Sequence, residues 1–86
     1  MPCISAFFGI LIYMYHRDHS PPHFHAEYGE YEGLYTIKTL EVIRGNLPRR
    51  VHNLVVEWAD LHREELMEDW LLARQHKELA QIEPLV

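Results

Sequence analysis

Eighty-six residues can bury one modest core, and the single cysteine excludes an internal disulfide. An apolar fraction of 48% with five Tyr, three Phe and two Trp is too rich for a disordered segment, and a net charge of −5 disfavours non-specific nucleic-acid binding. The first apolar run, residues 4–15, is too short to span a bilayer and lacks the flanks of a signal peptide, so a single cytoplasmic domain, 1–86, without membrane contact is expected.

In SAFFGILIYMYH the side chains alternate, with Phe8, Ile10, Ile12 and Met14 on one face and Phe7, Leu11, Tyr13 and Tyr15 on the other. Two apolar faces predict an interior position, with Gly9 as a bend or bulge that splits the run into two short strands. After the turn residues 18–22 comes HFHAEYGEYEGLYTI, in which Gly29-Glu30 has the Gly-first chemistry of a two-residue type II′ hairpin. That turn pairs Tyr28 with Tyr31 and Glu27 with Glu32. Phe24, Ala26, Tyr28, Tyr31, Gly33 and Tyr35 then form a core face, and His23, His25, Glu27, Glu32, Leu34 and Thr36 form the opposite one. A further strand is expected over residues 40–44, with Gly45 and Asn46 breaking the sheet. From Pro48 onward Val51, Leu54, Val55, Trp58, Leu61, His62, Leu66 and Trp70 follow a helical stripe. It predicts one long helix, or two with a break near residues 60–62. Pro84 ends any helix, and the tail is expected to return extended with Leu79, Ile82 and Leu85 inward. The fold class is α+β: a small, mostly antiparallel sheet of about four strands packed against one long or two consecutive C-terminal helices.

The chemistry concentrates in RDHSPPHFHAEYG, residues 17–29, which holds three histidines, two prolines and two carboxylates. Pro21 and Pro22 restrict the approach to His23, and Glu27 facing Glu32 invites a cation or a protonated imidazole between them. Three readings compete. His23 and His25 can ligate Zn²⁺ or Ni²⁺ with His19, Asp18 or Glu27 as third ligand and water as fourth. Alternatively His23 or His25 acts as general acid or base in metal-free RNA cleavage, with Arg17, Arg44 or the Arg49-Arg50 pair holding the phosphate. In the third reading the imidazoles only hydrogen-bond the facing carboxylates and the turn backbone.

Other signals are weaker. Pro2 becomes a basic amine if Met1 is removed, Cys3 has no basic neighbour in sequence, and His52, His62 and His76 are spread along the helical region. Arg49 and Arg50 oppose the helix macrodipole by roughly 0.3–1 kcal/mol each, which suggests an anionic partner or pairing with nearby carboxylates. The acidic run at residues 64–69 has the composition of a solvated helix face. Charge is polarised: Lys38, Arg44, Arg49 and Arg50 face only Glu41 in their window, whereas six carboxylates between Glu57 and Asp69 outnumber Arg63. Such a distribution favours binding to a partner of complementary charge.

Together, the RDHSPPHFHA block, the LEVIRGNLPRRVHNLVVEWADLHREELMEDWLLAR segment and the closing IEPL resemble the bacterial domain-of-unknown-function family numbered 4160. The resemblance covers nearly the whole chain, with His16 where the family often carries Trp. It implies a small stand-alone protein, frequently encoded beside another small gene and sometimes described as a transcriptional regulator or toxin–antitoxin-like component. It brings no activity. The expected function is therefore partner binding within a two-gene regulatory or toxin–antitoxin-like pair, with a histidine-rich site able to take a divalent metal. A ribonuclease-type toxin is the alternative, and a homo-oligomer is compatible with either.

Overall fold

A computed structural model describes residues 3–16 and 19–86. Five strands, β1 (Cys3–Phe7), β2 (Ile10–Tyr13), β3 (His23–Tyr28), β4 (Tyr31–Thr36) and β5 (Val42–Asn46), form a sheet in sequential order, every neighbour antiparallel. Two consecutive helices follow, α1 (Arg49–Leu61) and α2 (Arg63–Arg74). The architecture is the expected α+β, with five strands because the first apolar run divides.

Phe8 and Gly9 both take positive φ, the signature of a type I′ turn, so Phe7 pairs directly with Ile10 and joins its face. This corrects the face assignment of β1. Phe7 is buried with Ile10 and Ile12, whereas Phe8 is 61% exposed at the turn. The second hairpin is as expected: Gly29 alone of its pair has positive φ, and Tyr28 pairs with Tyr31, Glu27 with Glu32 and His25 with Leu34. Phe24, Ala26, Gly33 and Tyr35 are buried, but Tyr28 and Tyr31 are exposed because the hairpin tip projects past the packed core.

The last strand lies two residues later than expected. Leu40 takes φ 60° and turns into the core instead of starting the strand. Gly45 and Asn46 stay in the sheet, where a bulge at Ile43 of β5, opposite Leu34 and Tyr35 of β4, and a positive φ at Gly45 absorb the irregularity.

Trp58 of α1 packs on Phe7 and Phe24, with ring centroids 5.3 and 5.9 Å away. α1 ends at Leu61, with His62 at φ −124° outside the helical range; the His62 ring packs 5.6 Å from Trp58, and Leu61 is 68% exposed. That exposure removes Leu61 from the inward stripe. α2 ends in a Schellman arrangement with His76 in the left-handed position: the Lys77 N–H donates to the Leu72 carbonyl and the His76 N–H to Ala73. The chain then runs back along the body, as its composition predicted. Ile82 N–H donates to the Ile4 carbonyl at 2.8 Å, and Ile82, Leu79 and Leu85 pack on the core.

Asp69 departs from the solvated acidic face. It is 1% exposed among Leu66, Trp70 and Ala73, with Oδ1 accepting the Ala80 N–H at 2.8 Å. Burial raises its pKa above the usual carboxylate value, and Oδ2 is buried with no hydrogen-bond partner.

Tyr35 links sheet to helix through its hydroxyl and His52 Nδ1, 2.8 Å apart. Burial pushes its phenol up to about 12. Because the folded state holds this proton more tightly, the associated stability is intact below an unfolded pKa of about 10 and is lost as pH rises through the folded value. Tyr35→Phe is expected to cost about 1 kcal/mol at neutral pH and to make the alkaline loss shallower. Superimposable alkaline unfolding curves for the two proteins would contradict this.

Candidate functional site

α1 packs on the Phe24 side of the sheet through Trp58; His25 lies on the opposite side, and His23, at the start of β3, meets Trp70 of α2. Register places Tyr13, His25, Leu34 and Arg44 side by side across β2, β3, β4 and β5. Tyr15 presents a perpendicular ring to His25 at 4.3 Å. His25 Nδ1 lies 3.3 Å from Glu32 Oε2, and since a carboxylate only accepts, that nitrogen carries the proton. Tyr13 has its pKa raised, first by desolvation and then by the nearby Glu27 and Cys3.

His23 differs from His25. It is 4% exposed, its ring 5.3 Å from Trp70 of α2 and 5.2 Å from His25. Its Nδ1–H donates to the Pro21 carbonyl at 2.8 Å, which leaves Nε2 as the basic nitrogen of the neutral ring. A cavity of about 200 Å³ opens beside it, lined by His19, Pro21, His23, Leu34, Ile43 and Arg44.

The fold thus brings His19, His23 and Arg44 to one cleft, with the His25–Glu32 pair adjoining it on the sheet. It does not bring in Arg49 and Arg50, which line a separate groove on α1 with Asn53, Leu54 and Glu57. Glu27 faces Glu32 across the hairpin, toward its tip. Among the described residues, no group of three or more His, Cys, Asp or Glu side chains is placed to hold a metal ion. Arg17, proposed to hold an anion, Asp18, a possible third ligand, and Pro2 lie outside the described residues.

Of the dispersed histidines, His52 meets Tyr35, His62 pairs with Glu65, and His16 Nε2–H donates to the Lys77 carbonyl. Leu34 lies on the histidine face, as the hairpin register predicts, whereas Ile43 reaches the cleft through the β5 bulge, which a regular strand over residues 40–44 does not contain. No helix among the described residues is long and apolar enough to cross a membrane.

No curated protein and no solved structure matches the chain. The family model described as "Domain of unknown function (DUF4160)" matches residues 9–71, which includes the hairpin, the cleft and most of both helices, and the chain belongs to that family.

Proposed function

We propose that this protein is one member of a two-gene regulatory or toxin–antitoxin-like pair and acts by binding its partner protein with the part of the sheet that the helices leave uncovered. The observation that carries this is β5, a terminal strand all of whose residues are exposed, including Val42 at 38% and Ile43 at 48%. Apolar side chains on an open strand edge are a liability that a bound partner relieves. The pairing with a neighbouring gene comes from the family resemblance. Co-expression with the neighbouring gene product is expected to yield a complex that weakens as salt rises, since the charge of this chain is polarised. A pull-down that stays empty at low salt removes this reading.

A second reading is favoured by the cleft, where Arg44 shares a wall with two imidazoles. In metal-free RNA cleavage a neutral imidazole would take the 2′-hydroxyl proton as that oxygen attacks phosphorus. A protonated one would supply the departing 5′-oxygen, with Arg44 on the non-bridging oxygens. Zn²⁺ or Ni²⁺ on His23 and His25 would draw its third ligand from His19, Asp18 or Glu27. Growth arrest on induction, relieved by His19→Ala in the cleft or by His25→Ala beside it, would support the nuclease reading, and harmless overexpression of soluble protein would count against it. His23→Ala is a poor probe, because the buried ring packs on Trp70 and its loss would destabilise the fold.

A further inference from the structure

We infer that β5 receives an extended, acidic segment of a protein partner as a sixth strand of the sheet, an inference that rests on the partner-binding reading above. The sheet has two edges, and they are treated differently. At β1 the C-terminal tail lies alongside: Ile82 N–H meets the Ile4 carbonyl, and the Gln81 side-chain amide donates to Cys3 at 2.7 Å. At β5 no further strand follows among the described residues, and five consecutive residues are exposed. An edge strand offers alternate backbone N–H and C=O groups outward, which an added strand satisfies.

Charge selects the occupant. Arg44 lies in the strand, Lys38 precedes it and Arg49 and Arg50 follow it; all four are exposed, with Glu41 the one carboxylate between residues 38 and 50. Lys38 shares a groove with Glu64 and Glu68 of α2, and Arg49 and Arg50 share one with Glu57 of α1, so Arg44 is the cation of the strand itself. Half of the chain's eight lysines and arginines thus fall in this stretch of a molecule whose total is −5. A second copy paired antiparallel along β5 would oppose one such set of cations with another, which is unfavourable. The bulge beside Ile43 also twists the edge away from a rigid partner strand, whereas a flexible peptide can follow it. Nucleic acid would meet the cations but would leave the strand's backbone groups and Val42 and Ile43 without a matching surface, against an acidic whole. Alternating acidic and apolar side chains satisfy both features.

The probe is a capped eight-residue peptide alternating glutamate and valine, titrated into the full chain while backbone amide resonances are followed. The expected result is saturable shifts centred on Val42–Asn46, lost when alternate peptide nitrogens are methylated on its pairing edge and lost when lysine replaces glutamate. Arg44→Glu should weaken binding roughly fivefold, as expected for one exposed charge pair. Undisturbed β5 amides, equal binding of the methylated peptide, a concentration-dependent dimer protecting β5, or a uridine oligonucleotide that shifts the same amides more tightly would each overturn the inference. The co-expressed partner separates the two levels. If Arg44→Glu with Ile43→Thr leaves the partner complex intact, β5 is not the docking edge although partner binding stands. If even wild type captures nothing, both fall.

Discussion

Gly45→Ala is expected to lower stability by about 2–4 kcal/mol, which for a chain of this length moves the thermal midpoint down by roughly 10–25 °C. Two effects combine. Gly45 sits at φ +69°, where a side chain is strained, and a Cβ there would lie 2.2 Å from the Glu32 carbonyl oxygen, an atom of β4 backbone that cannot swing aside. Gly29→Ala is the matched control. Its φ is +59°, but an added Cβ would meet nothing within 4 Å, so it should cost only about 1 kcal/mol. Thermal unfolding of both variants separates conformational strain from steric overlap. Equal midpoints would mean that β4 and β5 do not approach as closely at Gly33 and Gly45 as the register requires. Because Gly45 holds β5 against β4, its replacement should also abolish binding of the acidic peptide in the protein that remains folded.

The same residue shows where sequence reasoning stops. Glycine in a strand can end it or bulge it, and which of these occurs depends on the neighbouring backbone, here Glu32 and Gly33, which lie far away in sequence. By contrast, Gly29-Glu30 could be read directly, because a two-residue turn sets pairing through local dihedral angles, and every pair from Tyr28 with Tyr31 to His23 with Thr36 follows. The Phe8-Gly9 break was recognisable, but strict alternation through it puts Phe8 rather than Phe7 on the face of Ile10, and two apolar faces give no sign that Phe8 is exposed at the turn. Periodicity located the helices and the break between them. It did not separate Asp69 from the exposed acids around it, although Leu66, Asp69, Trp70 and Ala73 recur at helical spacing. At the site, alternation placed His25 and Glu32 on one face correctly. The burial of His23 was hidden, since it depends on Trp70 arriving from α2, and the meeting of His19 with Arg44 depends on the β5 register.

The second large effect is expected at Trp58, the residue that joins sheet, helix and tail. Trp58→Ala should cost about 3–5 kcal/mol, a large share of the roughly 4–13 kcal/mol that a domain of this size holds in total. The indole is fully buried against Phe7 and Phe24, and its Nε1–H donates to the Glu83 carbonyl at 2.8 Å, so truncation removes core contacts and one anchor of the tail together. Trp58→Phe divides these contributions. It keeps an aromatic body in the core while removing the donor to Glu83, and should combine a moderate loss of midpoint with earlier proteolytic cleavage after residue 76. The other tail anchors, Asp69 with Ala80, Ile4 with Ile82 and Cys3 with Gln81, would then hold the segment. Loosening the tail uncovers the β1 edge, so this variant should also self-associate more readily than wild type as concentration rises. A Trp58→Phe protein with wild-type cleavage kinetics and no added self-association would show that the indole serves the core only and that the tail keeps β1 covered without it.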